Sequence, residues 1–285
     1  MTNSWSNIIT YCAVDEAGTY QTCRTSYVSG LLEGTGVTIV GSNLYILDRH
    51  FNTVIRCSIA DTGDVGHIVG AGSCTTNTPS SGFNVNQPRG IEIVNNVAYI
   101  TNASGNSVTE CAVDASTGDF TSCAVASVAG GFTMVSPTGI AILGSTAFVT
   151  NYDYNYVTEC AISASGSLTS CKKSTVAGGF EYMNGPQGIT ISNSKAYIVS
   201  YWTNRLSVCE IADGTITACS ATVDNAFHGS VGVAATGSTV YATNYNSETV
   251  TQCTLSATGY PSDCTVKTPV GGFRFPNRPI GITIT

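Results

Sequence analysis

The stretch SVTECAVDASTGDFTSCAVASVAGGFTMVSPTGIAILGSTAFVTN, residues 107–151, is followed closely by its own likeness, YVTECAISASGSLTSCKKSTVAGGFEYMNGPQGITISNSKAYIVS, residues 156–200. Each copy runs V-T-E-C, a turn with Gly, a second Cys, a G-G-F segment, P-x-G-I and a final apolar run. Further copies begin near Thr53, Leu206 and Thr249, and one opens the chain near Ile8. Self-similarity at a spacing of about 40–55 residues is the mark of a repeat architecture, and propeller blades recur in that range.

Each copy holds short segments that alternate apolar and polar or run β-branched. In residues 107–151 these are Val108–Val113, Phe120–Val125, Gly139–Leu143 and Ala147–Thr150, with Gly, Ser, Asn and Asp between them. No stretch sustains a 3.6-residue apolar period, so no long helix is expected. The pattern predicts one all-β domain over residues 1–285, with four antiparallel strands per repeat and outer hairpins near 8–28, 53–75, 107–125, 156–173, 206–221 and 249–266. An open solenoid would need polar terminal caps, which these end repeats lack.

The ends of the chain sharpen this to a six-bladed β-propeller. Residues 279–285, PIGITIT, match the strand that begins each inner hairpin, and Thr2-Asn3 matches the end of the next strand. One blade shared between the termini would close the ring and remove sheet edges. The join lacks about five residues of a full repeat, judged against the repeat period. That shortage implies either a clipped second strand or an open slot for a partner's strand, which would permit self-assembly.

Twelve cysteines fall one pair per repeat: Cys12/Cys23, Cys57/Cys74, Cys111/Cys123, Cys160/Cys171, Cys209/Cys219 and Cys253/Cys264. Each pair brackets a turn, and a two-residue turn at Ser165-Gly166 would set Cys160 opposite Cys171. Opposed strand residues approach within disulfide range. The even count and placement predict six disulfides and an oxidising compartment: extracellular, cell-surface or periplasmic. Reduced, packed cysteines are the alternative. The spacing is wrong for zinc, and His50, His67 and His228 do not accompany the pairs.

Charged residues are only 10% of the chain and the net charge is −7. That balance excludes a phosphate-backbone surface, so no nucleic-acid partner is expected. No apolar run is long enough to insert into a membrane. Residues 1–7 carry no secretory leader, so export implies that one has been removed.

The segments AYITN (98–102), AFVTNYD (147–153) and VYATNYN (240–246), each preceded by P-x-G-I or S-V-G-V, resemble YVTN-type β-propeller repeats. The GGF…P-x-G-I-x-I stretches are similar to NHL repeats. The resemblance implies a propeller and leaves function open among surface proteins, protein-binding scaffolds and scattered hydrolases or lyases.

The repeated T-N pair and P-x-G-I are expected to serve turn geometry and close axial packing. Residues that depart from the repeat carry more information. Between Pro and Gly stand Arg89, Thr138, Gln187 and Ile280, with Thr35 and Val231 at corresponding positions; no carboxylate ring for calcium results. Glu92 is a lone carboxylate in an inner strand. Asp48-Arg49-His50 replaces one T-N pair and is the only compact acid–base cluster. No G-x-S-x-G elbow occurs.

Aromatic residues gather in the loops expected on one face: Tyr152, Tyr154 and Tyr156, Tyr201-Trp202, Tyr245 and Trp5, with Tyr182, Arg274 and Phe275 in the entering loops. Tyr156 reads as interblade packing. Tyr152, Tyr154, Tyr201, Trp202, Tyr245 and Trp5, with Arg89 and Gln187, are the candidate ligand-binding residues, because flat aromatic faces beside polar groups suit a sugar ring or a protein hot spot. A sequon, Asn102-Ala103-Ser104, falls on the same face. The expected function is an extracellular, non-enzymatic binding or adhesion propeller for a carbohydrate or surface protein, with no cofactor and no metal. The alternatives are a structural unit of a surface layer or filament, and a lactonase-like or lyase-like enzyme acting through Glu92 or His50.

Overall fold

The computed structural model describes all residues except 16, 17, 19, 61–66, 69–73, 79–80, 128–133, 177–182, 223–224, 268–277 and 285, and only the backbone at 60, 67 and 68. The described residues form an all-β propeller of five complete sheets and a two-stranded N-terminal sheet. The second sheet shows the plan: Pro88–Val94, Val97–Asn102, Ser107–Val113 and Phe120–Val125 pair in order, each antiparallel to the next. The third to fifth sheets repeat it, from Pro137–Leu143, Pro186–Ser192 and Ser230–Ala235 outward. The first runs from Gly34–Val40 through Asn43–Asp48 to Thr53–Ala60, which pairs with both His67–Ile68 and Cys74–Asn77.

Burial follows strand position. The second strands are closed on both faces: Thr239–Asn244 is buried throughout, and Val97–Asn102 at all but its first residue. This explains their near-continuous apolar reading, since a strand covered on both faces has no reason to alternate. The outermost strands are exposed over most of their length, as in Phe120–Val125, where only Phe120 and Cys123 are buried. The core lies between sheets. One cluster joins Tyr45, Leu47 and Val54 of the first sheet to Ile100, Cys111 and Phe120 of the second.

Two hydrogen-bond series tie neighbouring sheets. Second-strand tyrosines donate to a glycine carbonyl in the outer turn of the next sheet: Tyr45 to Gly118 and Tyr197 to Gly259, both at 2.8 Å, with Tyr99 to Gly166 and Tyr241 to Gly18 alike. Near the axis, threonine hydroxyls donate to the next inner strand: Thr35 to Pro88 O, Thr101 to Thr138 O, Thr150 to Gln187 O and Thr243 to Ile280 O. Thr2 continues the series to Thr35 O at 2.6 Å. The inner-strand glycines are there for close approach. A Cβ on Gly90 would stand 2.4 Å from Thr138 O, and one on Gly281 would stand 2.1 Å from Thr35 O.

The N-terminal sheet pairs Ile8–Val14 with Tyr20–Tyr27. Bridges Thr2↔Ile9 and Asn3↔Pro279 place residues 2–3 between this hairpin and the C-terminal segment. Ile280 N–H donates to Thr2 O, and Thr2 N–H to Gly281 O, both at 2.9 Å. Where the complete sheets carry the first half of their second strand, a cavity of about 520 Å³ lies among Ile9, Val14, Leu44, Tyr241, Ile282 and Ile284.

All twelve cysteines form the six expected disulfides: Cys12–Cys23, Cys57–Cys74, Cys111–Cys123, Cys160–Cys171, Cys209–Cys219 and Cys253–Cys264, with Cα separations of 4.0–4.1 Å. Such short separations suit the closer type of antiparallel pair. In each bridge the second cysteine sits on an outermost strand and turns its sulfur back to the core. Cys23 packs with Tyr20 and Tyr241, Cys219 against Ile211 and Ile216, and Cys264 against Cys253 and Leu255. In the Cys253–Cys264 hairpin the register shifts between Gln252 and Thr254, where Asp263 takes a left-handed φ of 48°. One sequence expectation about these hairpins needs correction, the two-residue turn between Cys160 and Cys171. Ser163 N–H donates to Ser167 O, which encloses three residues rather than two, and Gly166 takes a left-handed φ of 87°. A register shift between Ala161 and Ile162 then restores the Cys160–Cys171 pair, as expected of a three-residue hairpin loop with a glycine bulge. No helix among the described residues is long and apolar enough to cross a membrane.

Candidate functional site

The T-N pair builds the loop face. Asn151, fully buried, accepts from Val135 N–H at 2.9 Å and donates to Thr158 Oγ1 at 3.0 Å. Asn102 and Asn244 do the same in their sheets. After the T-N pair or its counterpart in four repeats, an asparagine in the left-handed region reaches the next entering loop: Asn52 accepts from Gln87 N–H, Asn106 from Ser136, Asn155 from Gly185 and Asn204 from Gly229. These short side chains tolerate positive φ and replace a backbone turn partner. The result is a stiff rim on which the aromatic residues stand.

Four of the sequence-selected aromatics come together. Trp202 and Tyr152 meet over Gly185, where an added Cβ would stand 2.6 Å from the indole Cδ1 and 3.0 Å from Tyr152 Cε2. Tyr201 packs edge-on against Trp202 at 4.8 Å between centroids and lies 6.3 Å from Tyr245. The Arg278 guanidinium stacks over Tyr245 at 5.0 Å and donates to its hydroxyl at 3.2 Å, while the Tyr201 hydroxyl donates to Asn246 at 3.0 Å. Trp202 is 61% exposed, so this arc offers a large indole face to solvent while hydrogen bonds fix its neighbours. Arg278 and Asn246 escaped the sequence reading; their places just before P-x-G and just after T-N-Y were the available signal.

The other candidates lie elsewhere. Trp5 packs with His50 at 6.0 Å, and His50 with Phe51 at 4.8 Å, giving a second exposed aromatic group. Tyr154 stands apart, 62% exposed and 6.5 Å from Tyr156, which is buried and covered by Lys173. Tyr182, Arg274 and Phe275 fall outside the described residues. The cysteines are structural. All twelve are spent on disulfides and none is free, and none of them, Cys23, Cys219 and Cys264 included, lines the axial cavity described below.

Asp48 is structural as well. Fully buried, it accepts from Leu32 and Glu33 N–H on one oxygen and from His50 and Phe51 N–H on the other. A carboxylate so occupied holds a turn and has no lone pair directed at the His50 ring. Arg49 pairs with buried Glu33. The Asn102 sequon is corrected likewise: the amide is 1% exposed and bonded to Thr109 and Ser107, so a glycosyl-transfer enzyme cannot reach it in the folded chain.

At the axis, the inner strands surround a cavity of about 320 Å³. Thr35, Arg89, Thr138, Gln187, Val231 and Ile280 line one level, and Thr38, Glu92, Thr190, Ala234 and Thr283 the next. Residues 89 and 92 both face the axis because the register shifts between Pro88 and Ile91, and a bulge changes which side chains share a face. Arg89 Nε is buried without a hydrogen-bond partner. Desolvation, then the Arg49 charge, lower the Arg89 pKa to about 10, with Glu33, Tyr152 and Tyr245 opposing. Desolvation alone pushes the Glu92 carboxyl up to about 7. No group of three or more potential metal ligands occurs among the described residues.

No protein-family model matches the chain, so the YVTN/NHL resemblance remains unconfirmed. No curated protein matches it either. Among solved structures, a chain of a nidogen/laminin complex aligns at TM-score 0.72 with 15% identity, covering 99% of this chain and 96% of that one. A functionally unknown protein from Desulfotomaculum acetoxidans aligns at 0.60 with 16% identity over 96% of this chain and 80% of its own. A candidate 6-phosphogluconolactonase from Bacteroides fragilis aligns at 0.59 with 12% identity over 96% and 86%. At these identities the likeness concerns the β-propeller fold.

Proposed function

We propose that the chain is a six-bladed extracellular binding propeller that recognises a polypeptide surface or a sugar chain through its aromatic loop face, without catalysis. The observation that carries this reading is the arc Tyr152–Trp202–Tyr201–Tyr245–Arg278, contributed by successive repeats and fixed by hydrogen bonds and ring contacts. Rigid amphipathic aromatics with an arginine are the residues that dominate binding energy at protein surfaces, and they cost little side-chain entropy to immobilise. The nidogen/laminin neighbour, whose propeller fold occurs in a protein complex, is in keeping with a polypeptide ligand.

The sixth blade in this reading is the hairpin Ile8–Val14/Tyr20–Tyr27, residues 2–3 and the C-terminal segment, tied by Thr2 and Gly281 to the first blade. Six disulfides support an oxidising compartment. The lactonase-like neighbours fit the same fold. Asp48, however, is committed to backbone bonds, which removes it as a carboxylate partner for the His50 ring. The test is to probe glycan and peptide arrays with labelled, non-reduced protein and titrate the hits by intrinsic tryptophan fluorescence. Saturable binding that moves the tryptophan signal is expected; the absence of any saturable binder across both arrays overturns the proposal.

A further inference from the structure

The axial cavity carries one cationic and one anionic side chain, Arg89 and Glu92, and no other charged residue lines it among the described residues. Neither has a hydrogen-bond partner among those residues, and Arg89 Nε is orphaned in a buried position. A buried donor left without an acceptor costs free energy, so such a group marks a place where a ligand atom can complete the structure. The two charges do not compensate each other. Glu92 is shifted by desolvation alone, and Arg89 responds to Arg49, Glu33, Tyr152 and Tyr245, not to Glu92.

The walls suit a slender guest. Around Glu92 stand Ala234, Thr38, Thr190 and Thr283, all small; around Arg89 stand Gln187 and Thr138. No aromatic ring lines the cavity among the described residues. We propose that the axial channel binds a small linear zwitterion, its carboxylate on the Arg89 guanidinium and its ammonium on the Glu92 carboxylate, with an unbranched linker between. Guanidinium and carboxylate form strong charge-assisted hydrogen bonds. The opposite ends reject a ligand bearing only one head group, because the second buried charge then stays unpaired. Arg89 lies near Tyr152 and Tyr245 of the aromatic arc, but no arc residue lines the channel.

Unbranched ω-amino acids from glycine to 6-aminohexanoate serve as probes, with valerate and pentylamine as one-headed controls for 5-aminovalerate, all measured calorimetrically on the non-reduced protein. One member should bind at least tenfold more tightly than either one-headed analogue. Glu92→Gln should erase the preference over the carboxylate-only analogue, and Arg89→Gln the preference over the amine-only analogue. Arg89→Lys keeps the charge and covers the case in which Arg89→Gln misfolds. Affinity for the zwitterion should rise from pH 5 to pH 8 as Glu92 ionises, Arg89 being the other charged group that lines the channel. Trp202→Ala should leave it unchanged, which separates failure here from failure of the loop-face reading. The proposal is overturned if no probe exceeds its one-headed analogues, or if the preference survives both substitutions.

Discussion

Replacing Glu92 by Gln tests the axial channel without any ligand. The carboxyl titrates at about 7 in the folded chain against an ordinary 4.5, because burial among the inner strands penalises its charge. A raised carboxyl pKa means that the folded state holds the proton more tightly than the unfolded state does. The associated stability is therefore fully present below pH 4.5, falls as pH rises through the window from 4.5 to about 7, and is absent above it. The size is up to about 3 kcal/mol, from about 1.4 kcal/mol per pKa unit, with water in the channel reducing it. Urea unfolding of the non-reduced protein at pH 4.5, 6 and 8 gives the comparison. Wild type and Glu92→Gln should coincide at pH 4.5, where both side chains are neutral, and the variant should be the more stable by about 2–3 kcal/mol at pH 8. An advantage of equal size at pH 4.5 and pH 8 would refute the reasoning, since it would owe nothing to ionisation.

Three further outcomes follow from the packing. Tyr197→Phe removes the 2.8 Å bond to Gly259 O and should cost about 1–3 kcal/mol in urea unfolding; Phe148, at the equivalent place in the third sheet, shows that an aromatic ring without a hydroxyl fits. Cys160→Ala with Cys171→Ala opens a loop of sequence separation 11 and should lower unfolding free energy by about 2.8 kcal/mol on the chain-entropy model. Joining Asn-Asn-Val-Ala-Tyr ahead of Met1, copied from residues 95–99, should fill the cavity beside Ile282 and Ile284 and raise stability by about 2 kcal/mol for the buried aromatic; a lowered melting temperature would count against the repeat alignment at that join.

The fold was legible because one pattern recurs. The paired cysteines, the P-x-G glycines and the T-N asparagines each sit at a fixed phase, and the structure gives each one job at that phase: cross-strand linkage, close inner-strand contact and loop-face stitching. The turn at Ser163–Ser167 was misread because a bulge and a longer loop cancel in the register, leaving the cysteine pairing the same. The bulge at Asp263 hides in the same way behind the Cys253–Cys264 bridge. The loop face was only half legible. Tyr201, Trp202 and Tyr245 stand out as aromatics at the equivalent loop position of two repeats, but whether such residues meet depends on loop directions that a strand pattern does not encode. Tyr154 and Trp5 share the sequence signal and point to other neighbours. Asp48 illustrates the opposite error, since an acid beside a histidine resembles chemistry until its four backbone donors are seen.

The central claim is that the aromatic arc is the recognition surface. It is tested most directly by calorimetric titration of the tightest array ligand into wild type and into Tyr152→Ala/Trp202→Ala, with thermal melting of both. The account predicts a loss of at least about 2 kcal/mol, or about thirtyfold, for anchors of this kind, with little change in melting temperature. Equal affinity for the two proteins would contradict it.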